Sequence, residues 1–92
     1  MFKKKTVPPS SEADLLEMAK FYFLNSKYDE AIDELRKVLS VNPGNAEAYY
    51  NLGLIYENRN STDEAREMYE KALQIDEHYK LAREHLNKLI GI

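Results

Sequence analysis

Residues 49–73 read YYNLGLIYENRNSTDEAREMYEKAL, and this stretch decides the fold. Tyr49, Leu52, Gly53 and Tyr56 recur at steps of three, one and three, which is one face of a helix and not the alternation of a strand. Ser61-Thr62-Asp63-Glu64 has the spacing of a capping box and opens a second helix. That helix carries Ala65, Met68, Tyr69, Ala72, Leu73 and then Ile75. The stretch is therefore two amphipathic helices joined by a turn too short for anything but an antiparallel hairpin.

Moved by 34 residues toward the N-terminus, the stretch falls on a second copy of itself. Tyr56 meets Tyr22, Asp63-Glu64-Ala65 meets Asp29-Glu30-Ala31, Leu73 meets Leu39 and Lys71 meets Lys37. Tyr49 meets Leu15, Tyr69 meets Leu35, and Leu52-Gly53 meets Met18-Ala19. Repeats of this period mark arrays in which each hairpin leaves one apolar flank that only a neighbouring hairpin can cover. The small pairs Ala19/Gly53 and Ala31/Ala65 predict close helix approach, with Tyr22/Tyr56 and Leu35/Tyr69 filling the adjacent space.

The run Tyr49-x-x-Leu52-Gly53-x-x-Tyr56, followed by Ala65, Tyr69 and Ala72, resembles the tetratricopeptide repeat family. Tyr49 stands where the family usually has Trp. The first copy is looser, with Leu15, Met18, Ala19, Tyr22, Ala31, Leu35 and Val38, and closes on Pro43; Glu77 occupies the corresponding closing position of the second copy. The resemblance implies an all-α fold of antiparallel helix-turn-helix repeats stacked in a right-handed superhelix. Repeat 1 covers 12–45, repeat 2 covers 46–79, and a C-terminal capping helix covers 80–91. Residues 1–10, with Lys3-Lys4-Lys5 and Val7-Pro8-Pro9, read as a flexible leader.

Element by element, the spacing predicts five helices. The first starts after Ser11 with Leu15, Met18, Ala19 and Tyr22 inward, and the second runs from Tyr28 to Val41. The third runs from Ala46 to Arg59 behind an Asn45 cap, and the fourth starts beyond Ser61. The fifth runs from Tyr79 to Ile90, with Ala82, Leu86, Leu89 and Ile90 inward and Gly91 as its C-terminal cap.

Composition narrows the function classes. The 92 residues suit one domain and include no cysteine, so disulfides and thiolate chemistry are out. Net charge is −3; beyond the leader, ten Lys and Arg face sixteen Asp and Glu, a body of about −6 that disfavours nucleic-acid phosphates. No apolar run approaches the ~20 residues of a membrane span, and the basic start has no apolar stretch behind it, so a cytoplasmic location is expected. There is no glycine-rich phosphate loop, nucleophile elbow or zinc-helix motif. His78 and His85 read as surface histidines without metal partners. The pairs Asp29-Glu30, Asp33-Glu34 and Asp63-Glu64 read as first-turn dipole complements and solvated faces. A non-enzyme without cofactor, catalytic residues or metal is expected.

The family resemblance places the first helix of each pair on a concave face. On this chain that face would hold Leu16, Lys20, Phe23 and Leu24 from the first helix, Tyr50, Asn51 and Leu54 from the third, and Leu81 and His85 from the fifth. So many apolar residues among them suggest an interaction surface, with Tyr50 as anchor. Its acidic rim (Glu17, Glu47, Glu57, Glu84) favours a protein or peptide partner of basic character. The family's basic clamp for chaperone C-termini is not expected, because its places hold Leu16, Lys20, Asn51, Leu81 and His85 and only Asn51 matches. The alternative is a homodimer that pairs through the same groove or an open flank.

Overall fold

The structure, a computed structural model, describes residues 11–92. Five helices follow one another: α1 (Glu12–Leu24), α2 (Tyr28–Val41), α3 (Ala46–Asn58), α4 (Thr62–Ile75) and α5 (Lys80–Ile90), with no strand among the described residues. The fold is an all-α helical repeat. α1 pairs with α2 and α3 with α4, α2 packs against α3 and α4 against α5, and α1 touches α3.

The turns show why the repeat is regular. Within each hairpin the first helix ends on a residue in the left-handed region, Ser26 in one and Asn60 in the other, both at φ 60°. The following N–H then closes back on the helix: Lys27 N donates to the Tyr22 carbonyl and Ser61 N to the Tyr56 carbonyl, each at 2.8 Å. These bonds satisfy carbonyls that a helix end would otherwise leave open. α5 ends the same way, with Gly91 at φ 85° and Ile92 N donating to Asn87 O at 2.8 Å.

Between hairpins, Asn42 Oδ1 accepts from Gly44 N at 2.9 Å, and Asn45 Oδ1 caps α3 by accepting from Ala48 N at 2.9 Å. Glu12 at the start of α1 accepts from Asn42 Nδ2 at 2.9 Å and from Asn45 Nδ2 at 2.5 Å. The inter-repeat turn is thereby tied to the first helix. Ser61 makes no side-chain cap bond. The capping box read from Ser61 to Glu64 does not form, because the Ser61 N–H is already committed to the Schellman turn of α3 and its backbone is not extended.

Two clusters form the core. The first joins Leu15 and Ala19 of α1, Ala31, Ile32, Leu35 and Val38 of α2, and Ala48, Leu52 and Ile55 of α3. The second joins Ala65, Tyr69, Ala72 and Leu73 of α4 to Ala82 and Leu86 of α5. The close approach expected at Gly53 is real: a Cβ placed there would lie 2.6 Å from Cδ1 of the Tyr69 ring. Tyr69 is itself fully buried.

Several inward assignments change. Met18 is 41% exposed and Ile90 is also exposed, with no described helix laid over either, and Ile75 in the last turn of α4 is exposed just as its counterpart Val41 is in α2. Ala48 and Ile55, absent from the expected core, are completely buried. Glu34, expected on a solvated face, is buried, with one carboxylate oxygen accepting from Lys37 Nζ at 3.3 Å.

Candidate functional site

The odd-numbered helices lie side by side, and polar contacts stitch them. Lys20 of α1 reaches Glu47 of α3 at 2.6 Å, and this contact raises the ammonium pKa. Asn51 turns back on its own helix, donating to the Glu47 carbonyl at 3.0 Å. Between α3 and α5 the link is aromatic and acidic. The Tyr50 ring lies 5.3 Å from Tyr79, 5.6 Å from His85 and 6.0 Å from Tyr69. The Tyr69 hydroxyl donates to Glu57 Oε1 at 2.5 Å. His85 Nδ1 stands 3.2 Å from the same oxygen and 3.5 Å from the Tyr69 hydroxyl.

Tyr50 sits at the centre of this cluster. Its ring is half-buried and held from three sides, so little rotamer freedom remains to be lost on contact. Burial, and then the charges of Glu57 and Glu84, push its hydroxyl pKa up. Burial also raises Tyr79 to about 12, with Glu47 adding to the effect, and it raises Tyr69, reinforced by the bond to Glu57. All three therefore stay neutral near pH 7 and can donate a hydrogen bond.

The remaining sequence-derived positions fall in different surroundings. Leu16 is half-buried against the first cluster. Phe23 packs there too and leans on Tyr28 at 5.9 Å. Leu54 is half-buried. Leu24 and Leu81 are exposed, at 80% and 50%. Tyr50 and His85 are thus brought into contact, Lys20 and Asn51 meet through Glu47, and Leu24 stands apart at the end of α1.

Sequence reading missed the Tyr50–Tyr79–His85–Glu57–Tyr69 cluster as a unit. His85 is half-buried in it, not a surface histidine. The available signal was the helical register of Tyr50, Glu57 and His85 on two neighbouring repeats. Tyr79 carried none, since it precedes α5 as its N-cap residue. Two shallow depressions elsewhere are lined by Glu70, Leu73, Gln74, Arg83 and Leu86 and by Pro43, Tyr49, Lys71, Gln74 and Ile75. Neither takes in any of the nine positions.

Comparison with known proteins decides the family, because the tetratricopeptide repeat profile matches residues 16–80. The chain belongs to the tetratricopeptide repeat family. A TPR repeat-containing protein of Methanocaldococcus jannaschii is 37% identical over 57 residues, which is 62% of this chain and 18% of that protein. The peroxisomal targeting signal receptor of Candida albicans is 32% identical over 78 residues, 84% of this chain and 13% of the receptor. The chain therefore spans under a fifth of either curated relative. Among solved structures, MamA superposes with a TM-score of 0.82 at 29% identity, covering 87% of this chain and 47% of MamA. The first TPR of Spaghetti (RPAP3), bound to the HSP90 peptide SRMEEVD, gives the same TM-score of 0.82 at 22% identity. It covers 90% of this chain and 66% of that one, and at this identity the likeness is one of fold.

Proposed function

We propose that this tetratricopeptide domain is a protein-interaction scaffold that holds a peptide or helix of basic character against the odd-numbered helices. The observation that carries this reading is the Tyr50 cluster. A half-buried aromatic ring, fixed by Tyr79, His85 and Tyr69, sits beside the carboxylates of Glu47, Glu57 and Glu84. Such a site stacks on the alkyl stem and guanidinium of an arginine, or on a lysine, and neutralises its charge. Leu54 and Leu16 lie on either side along α3 and α1 and would receive apolar neighbours in the ligand. The family's own habit, illustrated by a receptor for a targeting signal among its relatives, supports a partner that is itself a protein.

The acidic setting argues against an acidic ligand. Lys20 is already paired with Glu47, so a carboxylate-rich peptide would meet the carboxylates of Glu57 and Glu84.

Fluorescence-polarisation titrations with two peptides of matched apolar content, one Arg/Lys-rich and one Asp/Glu-rich, test the reading. The basic peptide should bind and weaken at least about tenfold in Leu54→Lys, which removes the apolar contact and repels the ligand, while the melting temperature of that variant stays close to the parent. Equal binding of both peptides would remove the charge argument, and loss of folding in Leu54→Lys would assign the residue to the core.

A further inference from the structure

Glu57, Tyr69 and His85 meet where α3, α4 and α5 come together, and the first joint of the array has nothing like them. Moved by 34 residues, they become Phe23, Leu35 and Asn51, none of which titrates. The repeat therefore packs without ionisable groups at these places, and the second joint adds them beside Tyr50, the anchor of the candidate face.

The protons in this cluster follow from its distances. The Tyr69 hydroxyl donates to Glu57 Oε1 at 2.5 Å. His85 Nδ1 stands 3.2 Å from the same oxygen, where a ring lone pair would face a carboxylate lone pair. The neutral ring must therefore carry its proton on Nδ1 and donate it to Glu57. A second proton would go to Nε2, for which the described residues supply no partner. The side chains of His85 and Glu57 are 30% and 33% exposed, so that proton can come from water.

The groups around His85 divide sharply by when they titrate. Tyr50 of α3 and Tyr69 of α4 touch its ring, and Tyr79 reaches it through Tyr50. All three hydroxyls are pushed up from their ordinary value by burial and keep their protons throughout the neutral range. On α5 itself the flanking charges are Glu84 and Lys88, both exposed. Glu47 bears on Tyr79 and is paired with Lys20. An imidazole changes charge between about pH 5 and 8, where ordinary carboxylates stay ionised and ordinary ammonium groups stay protonated. Two carboxylates, Glu57 and Glu84, bear on Tyr50, and protonation of His85 offsets one of them.

We infer that His85 makes ligand binding at the Tyr50 face proton-linked: the neutral ring leaves Glu57 free to attract a cationic side chain, and the protonated ring takes that carboxylate for itself and repels the ligand. The inference rests on the Tyr50 face being the site of a basic ligand. His85 acts through Glu57, as a positioning residue for its charge. Because one proton is involved, the affinity of the ligand falls by at most tenfold per pH unit. By reciprocity the bound ligand must make His85 harder to protonate.

The probe is a peptide with blocked ends, arginine as its only charged residue and leucine as its apolar one, so that nothing in it titrates between pH 5.5 and 8. Fluorescence polarisation at half-unit steps across that range should show its affinity for the full chain falling by about three- to tenfold toward pH 5.5, with far-UV circular dichroism unchanged. In His85→Gln, whatever the affinity at pH 8, the fall should shrink to within about twofold. His78→Gln, which removes a histidine whose side chain is 89% exposed and lies outside the cluster, should leave the fall intact. In the parent, the titration midpoint of the His85 ring, followed by its Cε1–H resonance, should move to lower pH when the peptide saturates the chain. Binding that holds steady from pH 8 to 5.5, a fall that survives His85→Gln, or a His85 midpoint unmoved by saturating peptide would overturn the proton linkage while leaving the basic-ligand reading standing. Absence of binding at pH 8 would overturn that reading, and the linkage with it.

Discussion

Gly53→Ala tests the closest contact between α3 and α4, and its sign depends on one neighbour. In an open helix the change would stabilise by about 1 kcal/mol through helix propensity. Here the new methyl would sit 2.6 Å from Tyr69 Cδ1. The ring cannot swing aside, since it is fully buried and its hydroxyl is anchored on Glu57. Overpacking of this kind costs about 1–3 kcal/mol. Because the contact falls on the rigid face of a ring, we place the net effect at about 1–2 kcal/mol of destabilisation after the propensity gain. For a domain of this size that lowers the melting temperature by about 4–16 °C.

The first repeat holds the control, because Ala19 and Leu35 occupy the same two positions. In a Tyr69→Leu background, Gly53→Ala should therefore be neutral or stabilising by up to about 1 kcal/mol. Urea unfolding of the four proteins, followed by far-UV circular dichroism, gives the cycle, and the coupling should be of the order of 1–3 kcal/mol. Gly53→Ala tolerated with Tyr69 intact, or equally harmful without it, would refute the packing argument.

Other substitutions read other parts of the structure. Ile55→Ala should cost about 2–5 kcal/mol, whereas Phe21→Ala at the equivalent position should stay within about 0.5 kcal/mol; thermal melts compare the two. Ser26→Gly should stabilise by several tenths of a kcal/mol up to about 1, and Asn60→Gly by less, because asparagine tolerates the left-handed region better than serine; paired urea titrations check the order. Raised tyrosine pKa values favour the folded state up to the ordinary tyrosine pKa near 10, and that contribution fades as pH climbs through the value of about 12 for Tyr79. Between pH 10 and 12 the parent should lose more stability than Tyr79→Phe, measured by urea midpoints across that range.

The hairpins were legible because their spacing is doubly recorded. A single helix pattern is ambiguous, but Tyr22/Tyr56, Ala31/Ala65 and Leu39/Leu73 agree across 34 residues, so chance is removed at each position. What stayed hidden depends on end effects and cross-helix contacts. Met18 and Leu52 are the same repeat position, yet one is exposed and the other buried. Register is local, and cover comes from whichever helix precedes. Ala48 and Ile55 were overlooked for the converse reason: they lie off the stripe that faces their own hairpin partner and are buried by α2 instead. The apolar residues of the candidate face were legible as an excess of Leu, Phe and Tyr. The tie of His85 to Glu57 and Tyr69 was not, since it joins side chains 28 and 16 residues apart on three helices.

The most direct test of the account is an amide chemical-shift titration of the labelled chain with an arginine-containing peptide that it binds. The account predicts saturable shifts gathered on Tyr50, Asn51 and Leu54 of α3 and on His85 of α5, reduced together by Leu54→Lys. Shifts confined to the outer surfaces of α2 and α4, with Tyr50 and His85 unmoved at saturation, would contradict it.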